Sequence, residues 1–112
     1  TVLEGLSDPC ATNLEVFLGP VVTLQPFARE DAAVAWATPT QYGLSSSLWT
    51  RDLSRAMRVA ERIEAGVVWV NGWMVRDLRT PFGGVKQSGV GREGGDDALS
   101  FWIEKKNVCI SY

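Results

Sequence analysis

Apolar and polar positions along the chain switch between a period of two and a period near four, and the switches mark its elements. Val21 to Phe27 reads Val-Val-Thr-Leu-Gln-Pro-Phe, β-branched and apolar, which predicts a strand at an edge or terminal position because Pro26 has no N–H for a ladder. Glu30 to Ala37 is alanine-rich, with acids in its first turn and Pro39 just beyond. Acids suit the positive end of a helix dipole and proline stops the helix, so a short helix is expected. Tyr42-Gly43-Leu44 then turns the chain into a second strand, Ser45 to Thr50. Behind Asp52, a capping residue, Leu53, Ala56, Met57, Ala60 and Ile63 fall on one helical face, and Gly66 supplies the stop. Val67-Val68-Trp69-Val70 follows as a continuous apolar run, the mark of a strand buried on both faces. Strand, helix and strand in this order form a βαβ unit of a mainly parallel sheet with a right-handed crossover, so the fold class is α/β.

The flanks are less regular. Thr1 to Asn13 predicts a short strand or loop. Asn71 to Gly95 predicts no regular structure, because seven glycines and Pro81 interrupt it, and a loop of that length is usually functional or disordered. Asp96 to Ser100 reads as one helical turn. Phe101 to Ile110 reads as a closing strand whose apolar edge is blunted by Lys105-Lys106-Asn107. The expected division is therefore 1–100 and 101–112.

Composition narrows the chemistry. The 112 residues are 46% hydrophobic and 21% charged, with a formal charge of −2 and no His. Bases scattered among acids do not form a nucleic-acid footprint. No apolar run approaches the roughly 20 residues of a membrane span, and no secretory leader is read at the start, so a cytoplasmic protein is expected. Without His, and with Cys10 and Cys109 far apart, the chain makes no zinc site, no Cys/His pair and no Ser/His/Asp triad.

Gly89-Val90-Gly91-Arg92-Glu93-Gly94 has the spacing of a dinucleotide-binding turn, but no buried strand runs into it and no acid follows at ribose distance, so it is read as a false lead. Cys10 has no basic neighbour to activate it, and Cys109 reads as a small buried hydrophobe of the closing strand. Glu15 and Glu104 are isolated acids, for which a solvated surface position is the default. Arg76 and Arg79 lie beside Trp73, Met74 and Phe82 in the glycine-rich loop. An arginine there can hold a carboxylate through a bidentate pair or stand in solvent as a surface charge.

Glu15-Val16-Phe17-Leu18-Gly19-Pro20, Tyr42-Gly43-Leu44, Gly66-Val67-Val68-Trp69-Val70-Asn71 and the thirteen positions from Pro81 to Glu93 resemble, in order, the C-terminal quarter of the NAD(P)-dependent aldehyde dehydrogenases. The Trp73 to Pro81 stretch resembles the branch acting on 2-hydroxymuconic or 2-aminomuconic semialdehyde. The resemblance implies that Arg76 holds the substrate carboxylate and Phe82 lines the aldehyde tunnel. It implies that Glu15 binds the nicotinamide ribose of NAD, with NADP also compatible, and that Phe17 lies against the nicotinamide. Asn71 and Gly66 match loop-forming positions. The chain departs from the family's pattern at Leu14, which replaces a Glu, and at Leu18, which is extra. One inserted residue in an extended segment turns the following side chains to the other face.

The same resemblance places the nucleophilic Cys, the general-base Glu and the Rossmann domain upstream of the matched region. No catalytic or metal-binding residue is then expected within the chain. It implies that residues 102–110 extend a sheet across a subunit interface, giving a homo-oligomer. Two functions follow: a piece of a dehydrogenase that oxidises 2-hydroxymuconic semialdehyde with NAD in aromatic catabolism, inactive alone, or a non-catalytic interaction module of the same ancestry.

Overall fold

The computed structural model describes residues 1–7 and 9–112. Its centre is the expected βαβ unit. Strand β4 (Ser45–Leu48) runs parallel to β5 (Val67–Val70), with Ser45 opposite Val67 and Leu48 opposite Val70. Helix α3 (Leu53–Arg62) connects them. The Asp52 carboxylate accepts the Arg55 N–H at 3.0 Å, satisfying one of the donors a helix start leaves open. Asp52→Ala is expected to lower the stability of the folded protein by about 1 kcal/mol, with Asp52→Asn nearly neutral. Urea unfolding of the two variants checks this, and equal midpoints would remove the cap from the account.

Helix α2 (Glu30–Ala37) packs on α3. Glu30 accepts both Nε and Nη2 of Arg58 at 2.8 Å, and Arg55 and Arg62 approach the same carboxylate. The Arg58 hydrogen bond holds the Glu30 carboxyl below its ordinary value of 4.5. A carboxylate that is more acidic folded than unfolded stabilises the fold above its unfolded pKa, and this is lost as pH falls through the folded value. Amide exchange in α2 is therefore expected to accelerate below pH 4.5, and Glu30→Gln should flatten that part of the profile. A profile identical in the variant would assign the acid sensitivity elsewhere.

Val34 on α2 and Ala56 and Val59 on α3 are the buried apolar residues among the described residues. This corrects the predicted stripe, because Val59 lies inside it while Leu53 and Met57 are exposed. It also corrects β5, whose residues are half-buried and whose Val70 is exposed. The sheet has two strands among the described residues, so one edge of β5 has no ladder.

Gly66 does not end the helix. The helix ends at Arg62 and Ile63 turns to extended backbone. Gly66 instead meets the later loop, since a Cβ there would stand 1.7 Å from the Gly83 carbonyl oxygen.

Strand β1 (Val2–Glu4) pairs in parallel with β2 (Val22–Leu24), which is shorter than the predicted Val21 to Phe27. Residues Ala11–Leu14 form a helical turn, α1, rather than strand or loop. Tyr42–Gly43 is not a simple turn but strand β3, antiparallel to β6 (Val85–Lys86) inside the region expected to be irregular. Helix α4 (Gly95–Trp102) runs past the single predicted turn and takes in Phe101 and Trp102. The closing strand is corrected accordingly: residues 103–112 pair with no strand among the described residues, and Cys109 is exposed. A strand needs a partner edge, and none is provided there.

The chain is elongated. Its radius of gyration is 18.4 Å, against roughly 13 Å for a compact domain of this size. Leu18, Trp73, Leu78, Val90, Trp102 and Tyr112 are among the large apolar groups left exposed, a surface typical of an interface.

Candidate substrate-binding loop

The loop that leaves β5 is tied down at each end. Asn71 adopts φ 54°, and its side-chain amide accepts the Thr50 N–H at 2.8 Å and donates to the Thr50 carbonyl at 2.7 Å. It thereby extends the β4–β5 ladder by one rung, the structural role its resemblance implied. The Trp69 indole N–H donates to the Val75 carbonyl at 2.8 Å, fixing the residue before Arg76. On the far side, Phe82 and Glu93 exchange two main-chain hydrogen bonds of 2.7 Å in an antiparallel bridge. Arg92 closes the turn between them by donating to the Gly84 and Gly91 carbonyls at 2.9 and 2.7 Å. Gly94, at φ 87°, lets the Thr80 carbonyl approach within 2.5 Å of where a Cβ would stand.

Arg76 lies across this bridge. Its guanidinium carbon stands 4.4 Å from the centre of the half-buried Phe82 ring, within cation–π range. Its Nη2 donates to Glu93 Oε1 at 2.9 Å. The Arg76 side chain remains 34% exposed. Arg79 is different: its Nε and Nη2 both hold the Asp77 carboxylate, which also accepts the Arg79 main-chain N–H. That side-chain hydrogen bond holds Asp77 below its ordinary range. Both arginines are ion-paired: Arg79, with 88% of its side chain exposed, holds Asp77 through two nitrogens, while Arg76 holds Glu93 through one and rests on Phe82.

Sequence reasoning brought Arg76 and Phe82 together and missed Glu93 and Asp77. Pro81-Phe82 and Arg92-Glu93 flank a glycine-rich stretch as the arms of a hairpin do, a signal that pointed to Glu93.

Glu15 and Phe17 lie apart from this cluster, with no hydrogen bond or ion pair joining either to Arg76 or Phe82 among the described residues. Glu15 follows α1 in extended backbone and Phe17 is 46% exposed. Leu18 does not shift a strand, as an insertion in an extended segment would. It stands fully in solvent at a bend, where Val21 N–H meets the Gly19 carbonyl at 2.8 Å.

The Gly89 to Gly94 spacing also resolves. Gly94 does precede helix α4, but Asp96 and Asp97 occupy its first turn, a negative field where a pyrophosphate would need a positive one. No cluster of metal ligands occurs among the described residues. No helix there is long and apolar enough to cross a membrane. A cavity of about 540 Å³ lies at the C-terminal ends of β4 and β5 between Trp49, Asp52, Leu53 and Asn71.

A parallel β–α–β centre is joined to a glycine-bounded loop that lays one arginine over an aromatic ring, an α/β arrangement. The chain belongs to the aldehyde dehydrogenase family, whose model matches residues 1–108. It is 52% identical over 110 residues to the 2-hydroxymuconic semialdehyde dehydrogenase of Pseudomonas sp. (strain CF600), covering 98% of this chain and 23% of that protein. It is 45% identical over 112 residues to the 2-aminomuconic semialdehyde dehydrogenase of Danio rerio, covering 100% of this chain and 23% of that protein. The indole-3-acetaldehyde dehydrogenase AldA of P. syringae, solved with NAD+ and IAA, superposes with a TM-score of 0.87 at 36% identity over 92% of this chain and 21% of its own. The chain thus spans about a quarter of the length of the curated relatives it matches.

Proposed function

We propose that this chain is the C-terminal part of an NAD(P)-dependent dehydrogenase that oxidises an aldehyde bearing a distal carboxylate, of the 2-hydroxymuconic semialdehyde type, in aromatic catabolism. The observation that carries this reading is the stacking of Arg76 on Phe82, with one nitrogen on Glu93, whereas Arg79 holds Asp77 through two. Arg76 offers a planar pair of donors to the carboxylate, which orients the aldehyde at the other end of a rigid, conjugated substrate. Phe82 supplies the apolar wall. Glu15 accepts hydrogen bonds from the nicotinamide ribose and Phe17 lies against the ring. NAD(P), when bound, accepts the hydride. The thiol nucleophile and general base come from outside residues 1–112, so the chain alone reduces no NAD.

In this reading residues 1–100 belong to the catalytic domain and residues 102–110 carry contacts to another subunit of a homo-oligomer, consistent with the exposed Ile103, Val108 and Ile110. The exposed apolar surface equally favours a second reading, a non-catalytic module that binds a full-length relative. Arg76→Ala in a full-length dehydrogenase carrying this segment separates the substrate assignment from a general one. It should raise KM for the carboxylate-bearing semialdehyde far more than for a neutral aldehyde. Equal changes with both substrates would sink the assignment.

A further inference from the structure

Residues 71–75 join β5 to Arg76. Two of them, Asn71 and Met74, adopt left-handed backbone at φ 54° and 56°, a conformation that costs a residue bearing a side chain and persists where its surroundings hold it. Asn71 is held by its amide on Thr50. Met74 is 52% exposed and its thioether is only a weak acceptor, so the turn it makes is held by something else. Among the described residues, the main chain of residues 72–76 makes one hydrogen bond. It comes from the half-buried Trp69, whose indole Nε1–H donates to the Val75 carbonyl at 2.8 Å.

The Val75 carbonyl and the Arg76 N–H belong to one planar peptide unit. An indole that holds the carbonyl therefore also fixes the plane from which the Arg76 Cα leaves. The donor is anchored to the sheet and not to the loop, because Trp69 pairs with Ser47 in the β4–β5 ladder. Val75 also folds back closely on the start of the loop, since a Cβ on Gly72 would stand 3.1 Å from Val75 Cγ2. We infer that Trp69 is a positioning residue for the substrate carboxylate: its indole N–H ties the Val75–Arg76 peptide to the sheet and so sets where the Arg76 guanidinium meets the ligand. The inference rests on the proposed role of Arg76. Val67, Val68 and Val70, the other residues of β5, carry no side-chain donor and cannot take this part.

The experiment uses a full-length dehydrogenase carrying residues 1–112 as its matching segment, with Trp69→Phe, Arg76→Ala and the two combined. A further variant carries benzothienylalanine in place of Trp69, an isostere of tryptophan in which sulfur replaces the N–H. KM and kcat are measured with 2-hydroxymuconic semialdehyde and with hexanal. Trp69→Phe and the isostere are each expected to raise KM for the semialdehyde by about fivefold, the scale of one net hydrogen bond. They should leave kcat and the hexanal constants unchanged, and Trp69→Phe should add nothing in the Arg76→Ala background. The isostere keeps the shape of the indole and carries the test if Trp69→Phe does not fold.

A tryptophan that only supports the fold acts on both aldehydes and independently of Arg76. Equal changes with both substrates, effects that multiply with Arg76→Ala, or an unchanged KM for the semialdehyde each overturn the inference. A change with phenylalanine but none with the isostere assigns the effect to ring volume and overturns it as well. The Arg76 assignment is read from Arg76→Ala alone, so it stands if only the Trp69 variants fail. An unselective Arg76→Ala removes both.

Discussion

Gly66→Ala is expected to destabilise the folded protein by about 3 kcal/mol or more, beyond the usual 1–3 kcal/mol range for overpacking a core with side-chain atoms. The added Cβ would stand 1.7 Å from the Gly83 oxygen, 2.8 Å from its carbonyl carbon and 3.2 Å from Gly84 Cα. All three are backbone atoms, so no rotamer change relieves the clash. Gly66 cannot retreat, because its N–H donates to the Gly43 carbonyl at 3.1 Å and the next N–H donates to Leu44 at 3.3 Å. The Pro81 to Gly84 segment must move instead, and it carries Phe82 from beneath Arg76. The variant should show a lower thermal midpoint together with a raised KM for the semialdehyde. A midpoint equal to that of the parent would show that the loop does not pack on Gly66.

Arg76→Ala is expected to lower kcat/KM for a carboxylate-bearing semialdehyde by about a hundredfold. Hydrogen bonds to charged groups contribute about 1.5–3 kcal/mol, and each 1.36 kcal/mol is a factor of about ten. A neutral aldehyde of similar length makes no such contact and should change by less than about threefold on the scale of lost surface packing. Arg76→Lys restores the charge but not the fork, and Lys cannot rest flat on Phe82 while giving two parallel donors. It should recover only part of the loss, within about tenfold of Arg76→Ala. Full recovery by lysine would reduce the role of Arg76 to charge alone. Steady-state kinetics with the paired substrates decides both points.

The local elements were legible where hydrophobic period and stop signals agreed. The Asp52 cap, helix α3, the Val67 to Val70 strand and helix α2 all lie where alternation, capping and proline put them. Composition placed Arg76 and Arg79 alike beside Phe82 in the glycine-rich loop, and the family resemblance singled out Arg76 and Phe82. Val59 was missed, since the stripe through Leu53 and Met57 satisfies helical spacing equally well and only the placement of α2 decides which side is covered. Strand β6 was missed because two residues carry no period.

The sequence by itself determined the α/β order of elements, the loop and the resemblance from which the family followed. These rest on interactions close along the chain: caps, turns and apolar runs. Tertiary structure alone decided which arginine stacks on Phe82. Arg79 reaches back two residues to Asp77, a local pair, whereas the Phe82–Glu93 bridge reaches across the loop to Arg76. It also gave Gly66 its purpose, because a glycine that stops a helix and one that admits a distant carbonyl look the same until the chain has folded back. Contacts between residues distant in sequence depend on where the whole backbone travels, and no local pattern encodes that path.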